Sequence, residues 1–375
     1  MSEFIPLSVP NFCGNELKYV TEAIKSEWVS TGGAQIDRFE KGLANYLHVE
    51  RVCALQSGTA GLHLAMILAG VTSGDEVIVP TLTFIAAVNP VRYVGAEPIF
   101  MDCDDFLCMD PEKLDSFCSE ECNFNGEVLV NKRTNKPIKA VVVVHVFGNL
   151  ARINEICSIA KRYNLKVIED ATEALGTYEL ESGRFAGTIG DFGVFSFNGN
   201  KIITTGGGGA LVAKNSEDVK RAKHLSTQAK QDTLYFVHDE VGYNYRMTNL
   251  QAALGVAQLE QLEKFIKIKK RNYEFYKENG LNLLDFRSDI RSNYWFYSLI
   301  TDKRDELIKH LGEVGIQSRP IWQLIHTLPM YSENQAYKIE KACYYREKIV
   351  NIPCSSNLDE EDLMAVICKI KENHE

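Results

Sequence analysis

The stretch KAVVVVHVFG, residues 139–148, contains five valines and is apolar almost throughout. A strand that faces water on one side alternates apolar and polar residues, whereas a strand buried on both faces has a continuous apolar run. This stretch is therefore typical of a central strand in a parallel sheet that helices cover on both faces.

An alternation of strands and helices extends from this stretch in both directions. Helical patterns occupy residues 61–70, 83–94 and 153–164, and apolar strands lie between and around them. Such an alternation implies a mostly parallel sheet. We therefore predict an α/β fold whose sheet has seven strands, at residues 51–55, 76–80, 97–102, 139–148, 165–170, 193–198 and 208–214.

The chain has 375 residues, which favours one large domain and a smaller one. Residues 250–280 have a long helical periodicity, and a strand (293–300) and two helices (304–315 and 359–375) follow. We predict a large domain over residues 1–248 and a small α+β domain over residues 249–375. The polar stretch 123–138, within a 118–138 insertion, carries NG and NK turn signals and predicts a surface hairpin.

Charge and hydropathy limit the partners. The net charge is −9 and the pI is about 5.5, which argues against nucleic acid and anionic membranes as partners. No apolar run approaches the roughly 18–20 residues of a membrane span. The N-terminus MSEFIPLSVPNF lacks a basic region followed by an apolar one, so we expect no signal peptide and a cytoplasmic protein.

The ten cysteines include a group of four at Cys103, Cys108, Cys118 and Cys122. Four thiols could hold zinc, but the paired C-x2-C spacing of zinc knuckles is absent. We predict no metal site, and most of the cysteines should be small core residues.

Three segments at predicted strand ends carry residues suited to chemistry, since ligands of open parallel sheets bind beyond the carboxyl ends of strands. The first is QSGTAGLHLA, residues 56–65, where small residues join a strand to a helix. Free backbone amides and the helix dipole favour a phosphate at such a turn. The segment lacks both the GK[ST] ending of a P-loop and a G-x-G-x-x-G fingerprint.

The second segment is VIEDATEALG, residues 167–176, in which Asp170 ends a strand expected to be buried. A buried acid needs a partner, because an unpaired buried charge is costly. A protonated pyridine nitrogen would serve, and the ion pair would keep the ring able to accept electrons. The alternative is that Asp170 only caps the following helix.

The third segment is FSFNGNKIITTGGGGALV, residues 195–212, which places Lys201 between a buried-looking strand and four glycines. Most lysines lie on solvated faces. Here NGN forms a turn, and Gly206 to Gly209 allow another backbone to pass closely. A desolvated lysine has a lowered pKa, which frees its amine to attack a carbonyl.

Together and in this order, the three segments resemble the fold-type-I pyridoxal-phosphate (PLP) enzymes. More specifically, the chain resembles the DegT/DnrJ-type nucleotide-sugar aminotransferases over nearly its whole length. The resemblance includes VPTLTFIAAVNPVRYVGAEPIFMD, HVFGN, GYNYRMTNLQAALGVAQL and QSRPIWQLIH. It implies a PLP cofactor and a homodimer with shared active sites.

The resemblance assigns roles to single residues. Lys201 matches the lysine that binds the cofactor covalently, and Asp170 matches the partner of its pyridine nitrogen. Glu173 falls near the phenolic oxygen and Phe84 matches the aromatic that stacks on the ring. Phosphate contacts correspond to Gly58, Thr59, Ala60 and Ser196, with Asn244 reaching the phosphate from the neighbouring subunit; Ser30, Thr31 and His326 lie in segments that contact the nucleotide-sugar.

The resemblance also implies a reaction. Relatives with histidine at the position of Lys201 are sugar dehydratases, so the lysine here implies amino transfer. Glutamate would give its amino group to a UDP- or GDP-linked 4-keto-6-deoxy-N-acetylhexosamine. The sequence resembles the branch of this family that acts in the synthesis of legionaminic acid, bacillosamine and related bacterial sugars.

Alternatives remain open at this stage. Amination at C3 is one, and a desulfurase or an amino-acid aminotransferase of the same fold is another. A non-catalytic regulator that binds the cofactor is a third, because a fold does not fix a function.

Overall fold

Strands and helices alternate along most of the chain in a computed structural model, which describes residues 4–232 and 234–372. The strands are β1 (Cys53–Leu55), β2 (Glu76–Pro80), β3 (Glu97–Met101), β4 (Cys122–Phe124), β5 (Leu129–Asn131), β6 (Pro137–Val144), β7 (Lys166–Asp170), β8 (Tyr178–Glu179), β9 (Phe192–Ser196), β10 (Gly209–Ala213), β11 (Lys230–Asp232), β12 (Val237–His238), β13 (Ile290–Arg291), β14 (Tyr297–Ile300), β15 (Arg319–Pro320), β16 (Ala336–Tyr337) and β17 (Ile349–Ile352). The helices are α1 (Glu16–Lys25), α2 (Ala34–Leu47), α3 (Gly58–Leu68), α4 (Asn89–Tyr93), α5 (Pro111–Glu120), α6 (Ile153–Arg162), α7 (Ser216–Ser226), α8 (Asn249–Leu259), α9 (Leu262–Glu278), α10 (Arg304–Glu313), α11 (Lys341–Lys348) and α12 (Glu360–Glu372).

The large sheet runs in the order β1-β10-β9-β7-β6-β2-β3-β16. From β9 to β16 every neighbouring pair is parallel, and β10 is antiparallel to both β1 and β9. Helix α3 packs against β9 and β10, and α6 packs against β6 and β7. The predicted α/β class with a mostly parallel sheet is confirmed, and β16 and the β4–β5 hairpin extend the seven predicted strands.

The valine run forms β6 and lies at the centre of this sheet, between β2 and β7. Val141, Val142 and Val143 are completely buried, as a strand covered on both faces requires. The strand ends beside the end of β7, since Val144 is paired with Asp170. The apolar run thereby fixes the position of Asp170.

The polar insertion forms the predicted hairpin, with β4 and β5 antiparallel around a turn at Asn125 and Gly126. Gly126 has a φ of +96°, which a side chain would disfavour. The hairpin also pairs with β6, which we did not predict. Its Asn131 is fully buried and donates hydrogen bonds to Glu76 and Gln335, so this end of the insertion belongs to the core.

The long helical pattern after residue 249 forms two helices, α8 and α9, rather than one. Helix α8 packs against α1 and α2, whereas α9 packs against α12. A break between them lets each helix bury its apolar residues against a different neighbour. A second sheet follows, in the order β14-β17-β15. The boundary at residues 248 and 249 stays a prediction.

Both edges of the large sheet are capped by later parts of the chain. At one edge, β16 pairs with β3 through Ala336 and Tyr337, although it comes from the region predicted as the small domain. At the other edge, Leu55 of β1 forms a bridge with Arg246, and the Gln56 amide donates to the carbonyl of Tyr245 at 2.8 Å.

The four grouped cysteines are buried as free thiols. Burial raises the pKa of each thiol, which favours the neutral form. In the described part of the chain, the side chains close enough to share a metal ion are His224, Asp239 and Glu240, and no cysteine is among them.

A search of the helices in residues 4–232 and 234–372 finds none with the length and hydropathy needed to cross a membrane.

Candidate active site

A cavity of about 520 Å³ lies at the carboxyl ends of the central strands. It brings together seven of the residues singled out in the sequence, namely Gly58, Thr59, Phe84, Asp170, Glu173, Ser196 and Lys201. The second half of the chain supplies further wall residues, among them Trp295, Gln317, Arg319, Trp322 and Asn351. The three predicted strand ends therefore meet at one site.

The SGT turn forms the start of helix α3 at one end of this cavity. Ser57 caps the helix, since its Oγ accepts a hydrogen bond from the Ala60 amide at 3.1 Å. The amides of Gly58 and Thr59 lie in the first turn, where a helix provides no acceptor for them. These amides and the helix dipole favour an anion at this point.

Two glycines make this end of the cavity close-packed. A Cβ atom on Gly58 would lie 3.0 Å from Cγ2 of Thr172 and 3.1 Å from Cβ of Ser196. A Cβ atom on Gly209, the first residue of β10, would lie 2.4 Å from the carbonyl carbon of Ser57. The last of the four glycines therefore lets β10 approach the turn, as the sequence predicts.

Asp170 is the last residue of β7 and is 3% exposed. Its Oδ1 accepts a hydrogen bond from the Thr172 amide at 3.0 Å. Burial raises the pKa of this carboxyl, and the contact with Thr172 lowers it. A cation beside the carboxylate would stabilise its charged form.

A buried pair beneath Asp170 holds the strand end in place. Glu169 accepts a hydrogen bond from Nε2 of His145 at 2.8 Å, and both side chains are completely buried. Nδ1 of His145 accepts from the Ala151 amide at 3.2 Å, which sets the proton on Nε2. Glu169 also accepts from backbone amides of residues 187, 189 and 190. Sequence reasoning missed this pair, although HVFGN contains the histidine.

Lys201 follows β9 in a turn closed by a hydrogen bond from its amide to the carbonyl of Asn198 at 3.0 Å. Its side chain is 13% exposed, and its Nζ lies 3.8 Å from Oε1 of Glu173. Burial lowers the pKa of the amine, and the nearby Glu173 and Asp170 carboxylates raise it. The lysine is thus buried in the cavity wall and not part of a solvated face.

Glu173 is 4% exposed and lies between Lys201 and the backbone of Phe147. Its Oε2 accepts a hydrogen bond from the Phe147 amide at 2.8 Å. Burial raises the pKa of Glu173 to about 7, against the lowering effects of Lys201 and the Phe147 amide. The cavity therefore holds two acids beside one amine, and the second acid is easily protonated.

The residues present fit pyridoxal phosphate. The start of α3 suits its phosphate, Asp170 suits a protonated ring nitrogen and Lys201 suits its aldehyde. Phe84 lines the same cavity with 54% of its surface exposed. An exposed aromatic face in a cavity is suited to stacking against a flat ring.

Five predicted residues do not line the cavity of the single chain. Ala60 is buried within α3, and Asn244 is exposed. Ser30 is exposed beside the start of α8, where its carbonyl accepts from the Asn249 amide at 2.6 Å, and Thr31 follows it. His326 contacts Thr81, with 2.6 Å between Nδ1 and Oγ1.

Sequence reasoning missed the wall residues from the second half of the chain. The segment 293–300 reads as an apolar strand, but β14 begins only at Tyr297, and Trp295 turns towards Lys201 instead. Tyr294 has a φ of +54°, which produces this turn and has no signature in the sequence. The tryptophans were a usable signal. A buried indole N–H needs an acceptor, so each of the three tryptophans was a candidate for a fixed position beside a polar group.

The fold and this cavity define a PLP-dependent enzyme. A sequence model described as the DegT/DnrJ/EryC1/StrS aminotransferase family matches residues 11–371. The chain therefore belongs to this family and is a PLP-dependent sugar aminotransferase.

Individual proteins agree with this assignment. The chain is 38% identical to a GDP-perosamine synthase of Escherichia coli O157:H7, over 99% of this chain and 98% of that protein. It is 29% identical to a UDP-4-amino-4,6-dideoxy-N-acetyl-beta-L-altrosamine transaminase of Campylobacter jejuni, over 99% of both chains. The crystal structure of the aminotransferase TlmJ from Streptoalloteichus hindustanus is similar with a TM-score of 0.89, at 27% identity and over 99% of both chains.

Proposed function

We propose that this enzyme transfers the amino group of glutamate to a nucleotide-linked 4-keto-6-deoxy sugar and yields a 4-amino sugar. The observation that carries the proposal is the position of the Lys201 amine. It lies 3.8 Å from Glu173, in the same cavity as Asp170 and the start of α3. An amine, an electron-sink partner and an anion site in one cavity are what amino transfer requires.

Each of these residues has a distinct task in the proposal. When bound, PLP supplies an electron sink for the carbon from which a proton is removed. The Lys201 amine would take that proton from Cα of the amino donor as a base and would then release it as an acid. Asp170 would hold the ring nitrogen protonated, and the amides at the start of α3 would hold the phosphate.

The names of the relatives support a nucleotide-linked 4-keto-6-deoxy sugar as the substrate. The Campylobacter protein is named for a 4-amino-4,6-dideoxy product, which a 4-keto-6-deoxy precursor would give on amination. Three relatives at 36–38% identity are named GDP-perosamine synthases, so we place a GDP-linked sugar first and a UDP-linked one second. A legionaminic-type or bacillosamine-type product and amination at C3 stay open within this proposal.

The family is one of aminotransferases, so the desulfurase and the non-catalytic regulator are not retained. Lys201 also favours an aminotransferase, because amino transfer needs an amine in the site that takes the cofactor back from the amino donor.

We also propose that two copies share their active sites. Asn244 is exposed and lies outside the cavity of its own chain. Leu234, Tyr235 and Phe236 precede it on the same surface segment with 64–77% of their surfaces exposed. An exposed apolar segment favours contact with another protein, and a second copy would bring Asn244 to the phosphate end of the partner's cavity.

The two halves of the reaction test the proposal. The protein loaded with PLP should be yellow, should lose the colour on addition of glutamate, and should regain it with the accepted keto sugar. A panel of GDP- and UDP-linked 4-keto and 3-keto sugars, with product identification by NMR, identifies that sugar. Lys201→Met serves as the control. Colour that is insensitive to glutamate would reject glutamate as donor, and turnover of 3-keto sugars alone would reject amination at C4.

A further inference from the structure

The amine of Lys201 lies between a carboxylate and an aromatic face. Its Nζ is 3.8 Å from Oε1 of Glu173 and 4.2 Å from the centroid of the Trp295 ring. An ammonium group within about 6 Å of an indole face is attracted by the ring quadrupole, most strongly where water is excluded. Trp295 is 3% exposed, so the contact is largely shielded from water.

The indole ring is fixed in this position on several sides. Its Nε1 donates a hydrogen bond to the carbonyl of Asn200 at 2.7 Å, the residue directly before Lys201. Its plane stacks on Phe296, with 4.1 Å between the centroids and 17° between the planes. The hydroxyl of Ser8 donates to the same carbonyl of Asn200 at 3.4 Å. The ring thus contacts both the backbone and the amine of the lysine segment.

A single asparagine connects Trp295 to the opposite wall. The Oδ1 of Asn293 accepts from the Trp295 amide at 3.0 Å. Its Nδ2 donates to the carbonyl of Glu173 at 2.9 Å and to that of Leu175 at 3.0 Å. Asn293 is fully buried. Asn293 therefore fixes the separation of the two backbone segments that carry the aromatic face and the carboxylate, and the Phe147 amide holds the carboxylate itself.

We infer that Trp295 and Glu173 form a resting site for the ammonium group of Lys201 whenever that amine is not bound to the cofactor. Trp295 acts through the lysine and is a positioning residue. The inference rests on the proposed role of Lys201 in amino transfer. In that reaction the substrate displaces the amine from the cofactor, and the amine must later bind the cofactor again. A fixed resting place reduces the conformational entropy that the side chain loses when it does so.

The direction of the effect follows from the charges around the amine. Asp170 and Glu173 face it and stabilise its charged form, and burial opposes them. Arg319 contributes a positive charge from another wall of the cavity. The negative face of the indole adds to the carboxylates, so removal of that face should lower the pKa of Lys201.

The experiment measures the Lys201 amine in the cofactor-free protein. Fluorodinitrobenzene labels deprotonated amines, and mass spectrometry of the peptide that contains Lys201 gives its labelling rate at each pH. Trp295→Leu removes the aromatic face, and Trp295→Phe retains one without the N–H. Trp28→Leu is the control, because Trp28 is exposed and lies outside the cavity.

We expect Trp295→Leu to lower the pKa of Lys201 by about one unit, which corresponds to a desolvated cation–π contact. Trp295→Phe should retain most of the wild-type value, and Trp28→Leu should retain all of it. An unchanged value in Trp295→Leu, or an equal fall in the leucine and phenylalanine variants, would overturn the inference.

A second measurement keeps Trp295 in place in case the leucine variant does not fold. Fluorotryptophan is incorporated, and the ¹⁹F resonance of Trp295 is assigned through Trp295→Phe. Its pH titration should change in Lys201→Met, which keeps the chain length but removes the amine. Identical titrations would show that the ring does not sense the amine. Neither measurement depends on turnover, so a failure of this inference is distinguishable from a failure of the proposed function, which the reactions with glutamate and keto sugars test.

Discussion

The carboxylate of Glu173 accepts a hydrogen bond from the amide of Phe147 at 2.8 Å within the wall of the cavity. Burial nevertheless raises its pKa from 4.5 to about 7. A raised pKa in an acid means that the folded protein binds the proton more tightly than the unfolded chain does. Ionisation of Glu173 therefore destabilises the folded protein. This destabilisation is absent below the pKa of the unfolded chain, grows as the pH rises and is complete above about pH 7.

Glu173→Gln should therefore stabilise the cofactor-free protein, and more so at high pH. Between about pH 5 and about pH 8, the free energy of unfolding of the variant should gain about 2 kcal/mol on that of the wild type. Urea unfolding at both pH values measures it. Glu112→Gln is the control with a constant difference: Arg152 lowers the pKa of Glu112 to about 2, so this variant should be less stable than the wild type by nearly the same amount at both pH values. If the difference in the free energy of unfolding between Glu173→Gln and the wild type does not change with pH, the raised pKa of Glu173 is contradicted.

Lys201→Ala should abolish the visible absorption band of the bound cofactor and all turnover. The reason is that no other lysine lines the cavity among the described residues. Circular dichroism should show an unchanged fold, since the side chain makes no core contact beyond the cavity wall. Persistent yellow colour with activity would assign the covalent role to a different amine.

Asp170→Asn should slow amino transfer by about a thousandfold, because the loss of an electrostatic effect of about 4 kcal/mol on the transition state has that result. Single-turnover reaction with glutamate gives the rate, and the cofactor content is measured separately. Asp104→Asn is the control, as a buried aspartate outside the cavity. A near-normal rate with full cofactor content would reduce Asp170 to a cap of the segment that follows.

Gly209→Ala should destabilise the protein by about 1–3 kcal/mol and weaken PLP binding, because the new Cβ overpacks the phosphate end of the site. It would lie 2.4 Å from the carbonyl carbon of Ser57 and 2.6 Å from the amide nitrogen of Gly58. Gly199→Ala is the matched control, since nothing lies within 4 Å of its added Cβ. Urea unfolding and PLP titration compare the two, and equal behaviour would contradict the close approach of β10.

Mixing two inactive variants tests the shared site. Lys201→Ala removes the amine, and Asn244→Asp places a negative charge where we propose a phosphate contact from the partner. After subunit exchange, a mixed dimer would collect both lesions in one site and leave the other intact. Activity should return to about half of a normal dimer's per mixed dimer. A mixture that exchanges subunits and stays inactive would assign Asn244 to its own chain.

The sequence predicted the parts of the site that depend on strand order. Asp170 and Lys201 each follow an apolar strand, and parallel strands end at the same edge of a sheet. Periodicity therefore predicted that both lie at this edge, the family resemblance predicted that they share a site, and the structure brings both to one cavity. The glycine run predicted a close backbone contact at residues 206–209, and the structure identifies Ser57 as the neighbour of Gly209.

The remaining wall could not be predicted in this way. Trp295 reaches Lys201 through a left-handed backbone at Tyr294, and Asn293 orients it through three hydrogen bonds. Trp295 and Lys201 are nearly a hundred positions apart, and Asn293 lies 120 positions from Glu173 and 118 from Leu175, so these contacts leave no periodic pattern. The break between α8 and α9 was unpredictable for the same reason, because it depends on long-range packing: α8 packs against α1 and α2, and α9 packs against α12.

The capped edges of the large sheet restrict how two copies can associate. With β16 beside β3 and residues 245 and 246 beside β1, this chain already occupies backbone groups at both margins of the sheet. Strand addition between copies, the usual route to continuous intermolecular sheets and to fibres, is hindered where these segments already pair. In the dimer that we propose, recognition between copies would then depend on side-chain shape and apolar contact, and the assembly would be sensitive to point substitutions on the surface.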